Sequence, residues 1–119
     1  MKIAFTTAGE DTSAALDHRF GRAARFLIYD TESAAAVTID NRQNLNAAQG
    51  AGIQAAETVV RSGAQALITG HCGPKAFRVL SVAEIAVYTT DAATISEALA
   101  QFQACTLQRA DSADVEGHW

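Results

Sequence analysis

Apolar positions along the chain fall into short runs separated by polar or glycine-bearing breaks. Lys2 to Thr7 is rich in Ile and Phe and predicts a first strand. Arg25 to Asp30 predicts a second strand and Ala35 to Asp40 a third. The turn at Thr31–Ala34 makes these two an antiparallel hairpin. Ile53, Ala56, Val59 and Val60 recur at helical spacing, so an amphipathic helix runs to Arg61 and stops at Gly63. Ala64–Thr69 reads as a fourth strand. Lys75–Ser81 reads as a second helix with Pro74 in its first turn, where a missing N–H costs nothing. Glu84–Thr89 reads as a fifth strand. Thr94–Ala104 reads as a third helix, with Thr94 as N-cap and Glu97 three residues on, the spacing of a reciprocal capping box.

The order β-β-β-α-β-α-β-α predicts one α/β domain over residues 1–109, followed by a tail over 110–119. The leading strands form a meander. The later ones, alternating with helices, join in parallel and give a mixed five-stranded sheet covered by helices. Ligands of such sheets sit outside the carboxyl ends of strands. The loops after strand one (Thr6 to Gly9) and strand four (Gly70 to Gly73) are expected side by side there.

Composition narrows the class. Of 119 residues, 49% are hydrophobic and 18% charged, which suits a compact fold. No apolar run approaches a membrane span, and a cytoplasmic protein is expected. Cys72 and Cys105 are the only cysteines, too few and too far apart for a disulfide framework or a zinc site. A net charge of −4 argues against nucleic-acid binding. The basic residues are nevertheless clustered, with His18, Arg19, Arg22 and Arg25 within eight residues. Such a cluster suits a small anion or is simply a solvated turn.

The chemistry concentrates in Gly70-His71-Cys72-Gly73-Pro74-Lys75. Glycine lets backbone approach a ligand, the helix opening at Pro74 offers unpaired N–H groups, and Lys75 adds a charge. The same residues also suit an ordinary β–α turn. Cys72, beside His71, is a soft-metal ligand, a reactive thiol or a packed side chain. Cys105, placed in the third helix, is expected to be a buried small hydrophobe. Gly50-Ala51-Gly52 is a second glycine-bearing helix entry. Gly117-His118-Trp119 ends an otherwise polar tail.

Taken together, His18-Arg19-Phe20-Gly21-Arg22, Gly50-Ala51-Gly52-Ile53-Gln54-Ala55, Ile68 through Phe77 and Glu116-Gly117-His118-Trp119 resemble the dinitrogenase iron–molybdenum cofactor biosynthesis family, in order and spacing, over essentially the whole chain. The resemblance implies a ribonuclease H-like three-layer fold with strand order 3-2-1-4-5, strand two antiparallel. It also implies non-catalytic binding, carriage or assembly of an anionic molybdenum-containing metal–sulfide cluster, Mo–Cu–S or Fe–Mo–S, with cluster donor and acceptor proteins as partners. The expected cluster-binding residues are Thr6, Gly9, His18, Arg22, Gly50, Gly52, Gly70, His71, Cys72, Gly73 and Lys75, with Cys72, His71 and His18 as candidate metal ligands. A monomer or weak homodimer is expected, with the strand at Ala35–Asp40 available at a sheet edge. Two rival readings are a regulatory module for a small anion or nucleotide, and an enzyme with Cys72 as nucleophile.

Overall fold

The computed structural model describes residues 1–42 and 51–110. The strands are β1 (Lys2–Thr7), β2 (Arg25–Asp30), β3 (Ala36–Asp40), β4 (Ala66–Thr69) and β5 (Ala86–Thr89). The α-helices are α1 (Ala51–Arg61), α2 (Pro74–Val82) and α3 (Ile95–Gln103), and a short 3-10 turn spans Phe20–Arg22. The five strands form one sheet in the order β3-β2-β1-β4-β5. β1 pairs antiparallel with β2 and parallel with β4, β2 pairs antiparallel with β3, and β4 pairs parallel with β5. The expected mixed sheet is therefore present.

Side-chain alternation sorts the core onto two faces. Ala4, Phe26, Ile28, Leu67 and Val87 pack with Ala55, Ala56 and Val59 of α1 and with Ala76 and Leu80 of α2. Ile3, Phe5, Leu27, Ala66 and Ile68 pack on the other face with Leu16 and with Ile95 and Ala98 of α3. The chain steps from β3 to β4 to β5 in one direction across the sheet. Right-handed crossovers then force α1 and α2 onto the same face. β4, second from the β5 edge, is buried at all four positions, whereas β3 is largely exposed. The alanine surface of α1 lets the helix lie close to the sheet, with Ala51, Ala55 and Ala56 fully buried.

Several local expectations are corrected. Thr94 does cap α3, its hydroxyl accepting from the Glu97 N–H at 3.2 Å. The Glu97 carboxylate, however, accepts from the Ala93 N–H at 3.1 Å instead of closing the box on Thr94. Cys105 is neither helical nor buried. It is exposed, with φ of 59°, just past the α3 C-cap at Ala104. There Cys105 N–H donates to the Phe102 carbonyl and Thr106 N–H to the Gln101 carbonyl, the paired bonds of a Schellman motif. The same motif ends α2, with Glu84 at φ of 63° and bonds from Glu84 to Ser81 and from Ile85 to Leu80. Ala110, assigned to the tail, is tied to β5 through its N–H to the Val87 carbonyl at 2.8 Å.

Candidate functional site

The carboxyl ends of β1 and β4 lie side by side because the strands pair in parallel, Phe5 opposite Ile68. Between them Thr69 and Thr6 face each other, hydroxyl to hydroxyl at 2.9 Å, both fully buried. The single Thr6 proton goes to the Asp17 carbonyl at 2.5 Å, so Thr69 donates to Thr6. This relay fixes the strap over residues 11–20 across the strand ends. Asp17 N–H returns a bond to the Thr6 carbonyl at 2.8 Å, and Leu16 N–H bonds the Ala93 carbonyl at 3.0 Å. Phe20 N–H donates to the His71 carbonyl at 3.2 Å.

The strap delivers His18 to a cleft of about 670 Å³ at the carboxyl ends of β4 and β5. His18, Gly70 and His71 line one side, and Thr89, Thr90 and Asp91 line the β5 side. Gln101 and Thr106 close it where the chain turns back after α3. The volume lies within the usual range of small-ligand sites, about 300–1,000 Å³. A second, smaller hollow of about 450 Å³ is also lined by His18, together with Ala8 and Leu16. His18 Nε2 sits 3.2 Å from the Ala92 carbonyl. A carbonyl only accepts, so the Nε2 N–H donates, and Nδ1 is the ring nitrogen that this bond leaves unused.

Two glycines serve their own chain. A Cβ on Gly70 would stand 2.6 Å from the Cα of His18, so its bareness seats the strap. A Cβ on Gly9 would stand 2.2 Å from the Cβ of Ala14. Gly73 is the N-cap of α2 in extended conformation, with Pro74 at its first position. The helix itself supplies no partner for the N–H groups of Lys75 and Ala76, and the Lys75 side chain is exposed. Gly52 is buried in the first turn of α1. Gly50 and Gly117-His118-Trp119 lie outside the described residues.

The expected thiol ligand sits elsewhere. Cys72 is 1% exposed and belongs to the apolar cluster that includes Phe20, Phe26 and Ala76. It turns into the core because Gly73 and Pro74 start α2 directly above that face. Its sulfur lies 3.8 Å from the Gly73 carbonyl, and it does not line the cleft. Thr6, likewise, is a buried structural hydroxyl. The basic cluster is divided. The Arg25 guanidinium donates to the Ala8 carbonyl at 2.8 Å and lies 3.9 Å from Glu10, while Arg22 closes the 3-10 turn. His18 and His71 are thus the two proposed ligands that share the cleft. Among the described residues no group of three His, Cys, Asp or Glu side chains could hold a metal ion. No helix among them is long and apolar enough to cross a membrane.

The sequence reading missed the β5 wall, Thr89 to Asp91, and the Gln101–Thr106 side. One signal was available: β5 follows β4 through a helix, so its carboxyl end had to lie beside that of β4. The Thr90 hydroxyl ties this wall to α3, donating to Gln101 Oε1 at 2.6 Å.

Comparison with known proteins agrees over the whole fold. The apo form of the orange protein from Desulfovibrio gigas is 36% identical, with a TM-score of 0.92 over 96% of each chain. A candidate NifB protein from Thermotoga is 32% identical, with a TM-score of 0.84 over 98% of each chain. A candidate dinitrogenase from Methanocaldococcus jannaschii, at 15% identity and a TM-score of 0.68 over 94% of this chain and 96% of its own, shares the fold. Curated protein sequences give no match. The family model described as "Dinitrogenase iron-molybdenum cofactor" matches residues 1–105, and the chain belongs to that family.

Proposed function

We propose that this protein binds and carries, or helps assemble, an anionic molybdenum-containing metal–sulfur cluster, of Mo–Cu–S or Fe–Mo–S type, in the cleft between the β4 and β5 ends. The observation that carries this reading is the convergence of His18 and His71 on one cleft, in a member of this family. The cluster is cargo. Its sulfide surface accepts hydrogen bonds, and its charge favours the positive end of α2 and Lys75. The lone pair of His18 Nδ1 suits a copper or iron atom at the cluster's edge. Thr89, Thr90 and Gln101 supply polar walls. With Cys72 packed in the core, a thiol nucleophile has no place in this reading. The role is non-catalytic, with transfer to and from other proteins.

Anaerobic loading of metal-free protein with tetrathiomolybdate, alone and with Cu(I) or Fe(II), tests it. Molybdenum should survive desalting in fixed ratio to protein, together with a protein-bound charge-transfer spectrum. Loss of all metal on desalting overturns the reading. Cys72→Ala should load like the wild type, and His18→Ala with His71→Ala should retain several-fold less.

A further inference from the structure

The two edges of the sheet are finished differently. On β5, Arg109 bridges Tyr88 and the Ala110 N–H donates to the Val87 carbonyl, so the returning chain covers that edge in part. β3 stands last at the other end, with β2 its one strand neighbour among the described residues. Its sequence, Ala36-Val37-Thr38-Ile39-Asp40, holds no lysine or proline, and its register with β2 runs without a bulge. These are the usual devices that blunt an edge. The strand's one charge, Asp40, is already engaged by the Arg42 guanidinium at 2.8 Å.

Which amides face outward follows from the bonds that flank the strand. Asp30 N–H donates to the Ala35 carbonyl, and Asn41 N–H to the Ala24 carbonyl. In an antiparallel ladder bonded and non-bonded pairs alternate. Residues 37, 39 and 41 therefore turn their amides to β2, and Ala36, Thr38 and Asp40 turn theirs outward. Val37 is 61% exposed, while Ile39 packs against the core cluster on the α1 side. Strand alternation puts Val37 and Ile39 on one face.

We propose that this edge pairs with the same edge of a second copy, antiparallel about a two-fold axis through Thr38. Centred there, all three outward residues of each copy are bonded. Thr38 faces its own counterpart, and Ala36 faces Asp40 on both sides. Val37 then falls opposite Ile39 in a non-hydrogen-bonded pair, where side chains approach most closely, a β-branched match that covers the exposed valine. Registers centred two residues either way leave outward amides unpaired, and the one centred on Asp40 sets two carboxylates face to face. The sequence is thus complementary to itself at this edge. The result is a continuous ten-strand sheet with the two clefts at its far ends, whatever the clefts hold. A five-residue edge predicts a weak, reversible dimer, smaller than standard interfaces.

The full chain should sediment as a concentration-dependent dimer in a series reaching the millimolar range. Thr38→Pro removes only an outward N–H, as an edge strand tolerates. Thr38→Lys places two ammonium groups opposite each other. Both should weaken association at least tenfold, with unchanged far-UV circular dichroism for Thr38→Lys. Thr38→Cys in a Cys105→Ser background should oxidise to a covalent dimer, since directly bonded partners lie about 5.5 Å apart between Cα atoms. A monomer throughout the series overturns the proposal. So does a dimer that Thr38→Lys leaves intact, or one in which the thiols introduced by Thr38→Cys fail to cross-link.

Discussion

The backbone of His18 rests on the bare Cα of Gly70, so closely that a Cβ there would stand 2.6 Å from the His18 Cα and 2.7 Å from its carbonyl oxygen. The nearest atoms are mostly backbone, which moves only by displacing the strap. Gly70→Ala should therefore cost roughly 2–3 kcal/mol, in the range of overpacked cores, and lower the melting temperature by about 10 °C. Thermal unfolding followed by circular dichroism checks this. A melting temperature within a degree or two of wild type would show that the strap yields freely.

The Thr69–Thr6–Asp17 relay anchors the same strap from below. Thr6→Val removes both the acceptor for Thr69 and the donor to the Asp17 carbonyl. Leaving such buried groups unpaired costs about 1–3 kcal/mol. Thr69→Val should cost less, because Thr6 keeps its bond to Asp17. In a double-mutant cycle by urea unfolding, the double variant should be destabilised by less than the sum of the single ones, since the two share one bond. Strict additivity would contradict the relay.

Two helices end on residues for which the left-handed region is costly, Glu84 and Cys105, at φ of 63° and 59°. A left-handed conformation costs a non-glycine residue about 1–2 kcal/mol, partly offset by the entropy glycine loses on folding. Glu84→Gly and Cys105→Gly should each raise stability by about 0.5–1 kcal/mol. A lowered urea midpoint for both would show that the side chains make stabilising contacts there.

The hydrophobic pattern made the sheet legible because its strands are short apolar runs bracketed by turns. β1 and β2 begin and end where the pattern changes at Lys2, Thr7, Arg25 and Asp30. The Thr94 cap was legible because a hydroxyl three residues before a glutamate satisfies a local need. The cleft was half legible. Gly70 and His71 declare a loop, but Thr89–Asp91 and Gln101 become a wall only when β5 pairs with β4 and the chain after α3 turns back. Cys72 beside His71 suggests joint chemistry. Yet α2 begins two residues later and directs the thiol into the core, and adjacency in sequence carries no information on that. Gly70 was read as room for a ligand; it lines the cleft and also makes room for its own chain at His18.

Asp40 and Arg42 give a pH signature. The Arg42 guanidinium bonds the Asp40 carboxylate, and the Arg42 N–H adds a further bond. Together they lower its pKa from 3.8 to about 2. The depressed value means that any stabilisation is complete above the ordinary carboxylate range and is lost as pH falls from about 4 towards 2. Both groups are exposed, so the effect is small and weakened by salt. In an NMR titration of the side-chain carboxyl, Arg42→Ala should move the Asp40 midpoint upward. An unchanged midpoint would contradict the pairing.

Amide NMR of protein loaded anaerobically with tetrathiomolybdate and Cu(I), against the metal-free protein, tests whether the cleft between the β4 and β5 ends holds the cluster. The largest shifts should fall on His18, Gly70, His71, Thr90 and Asp91, which line the cleft, with little change along β3. Shifts centred on the exposed ends of α1 and α2 around Val60 and Val82, with the His18 and His71 amides unmoved, would contradict it.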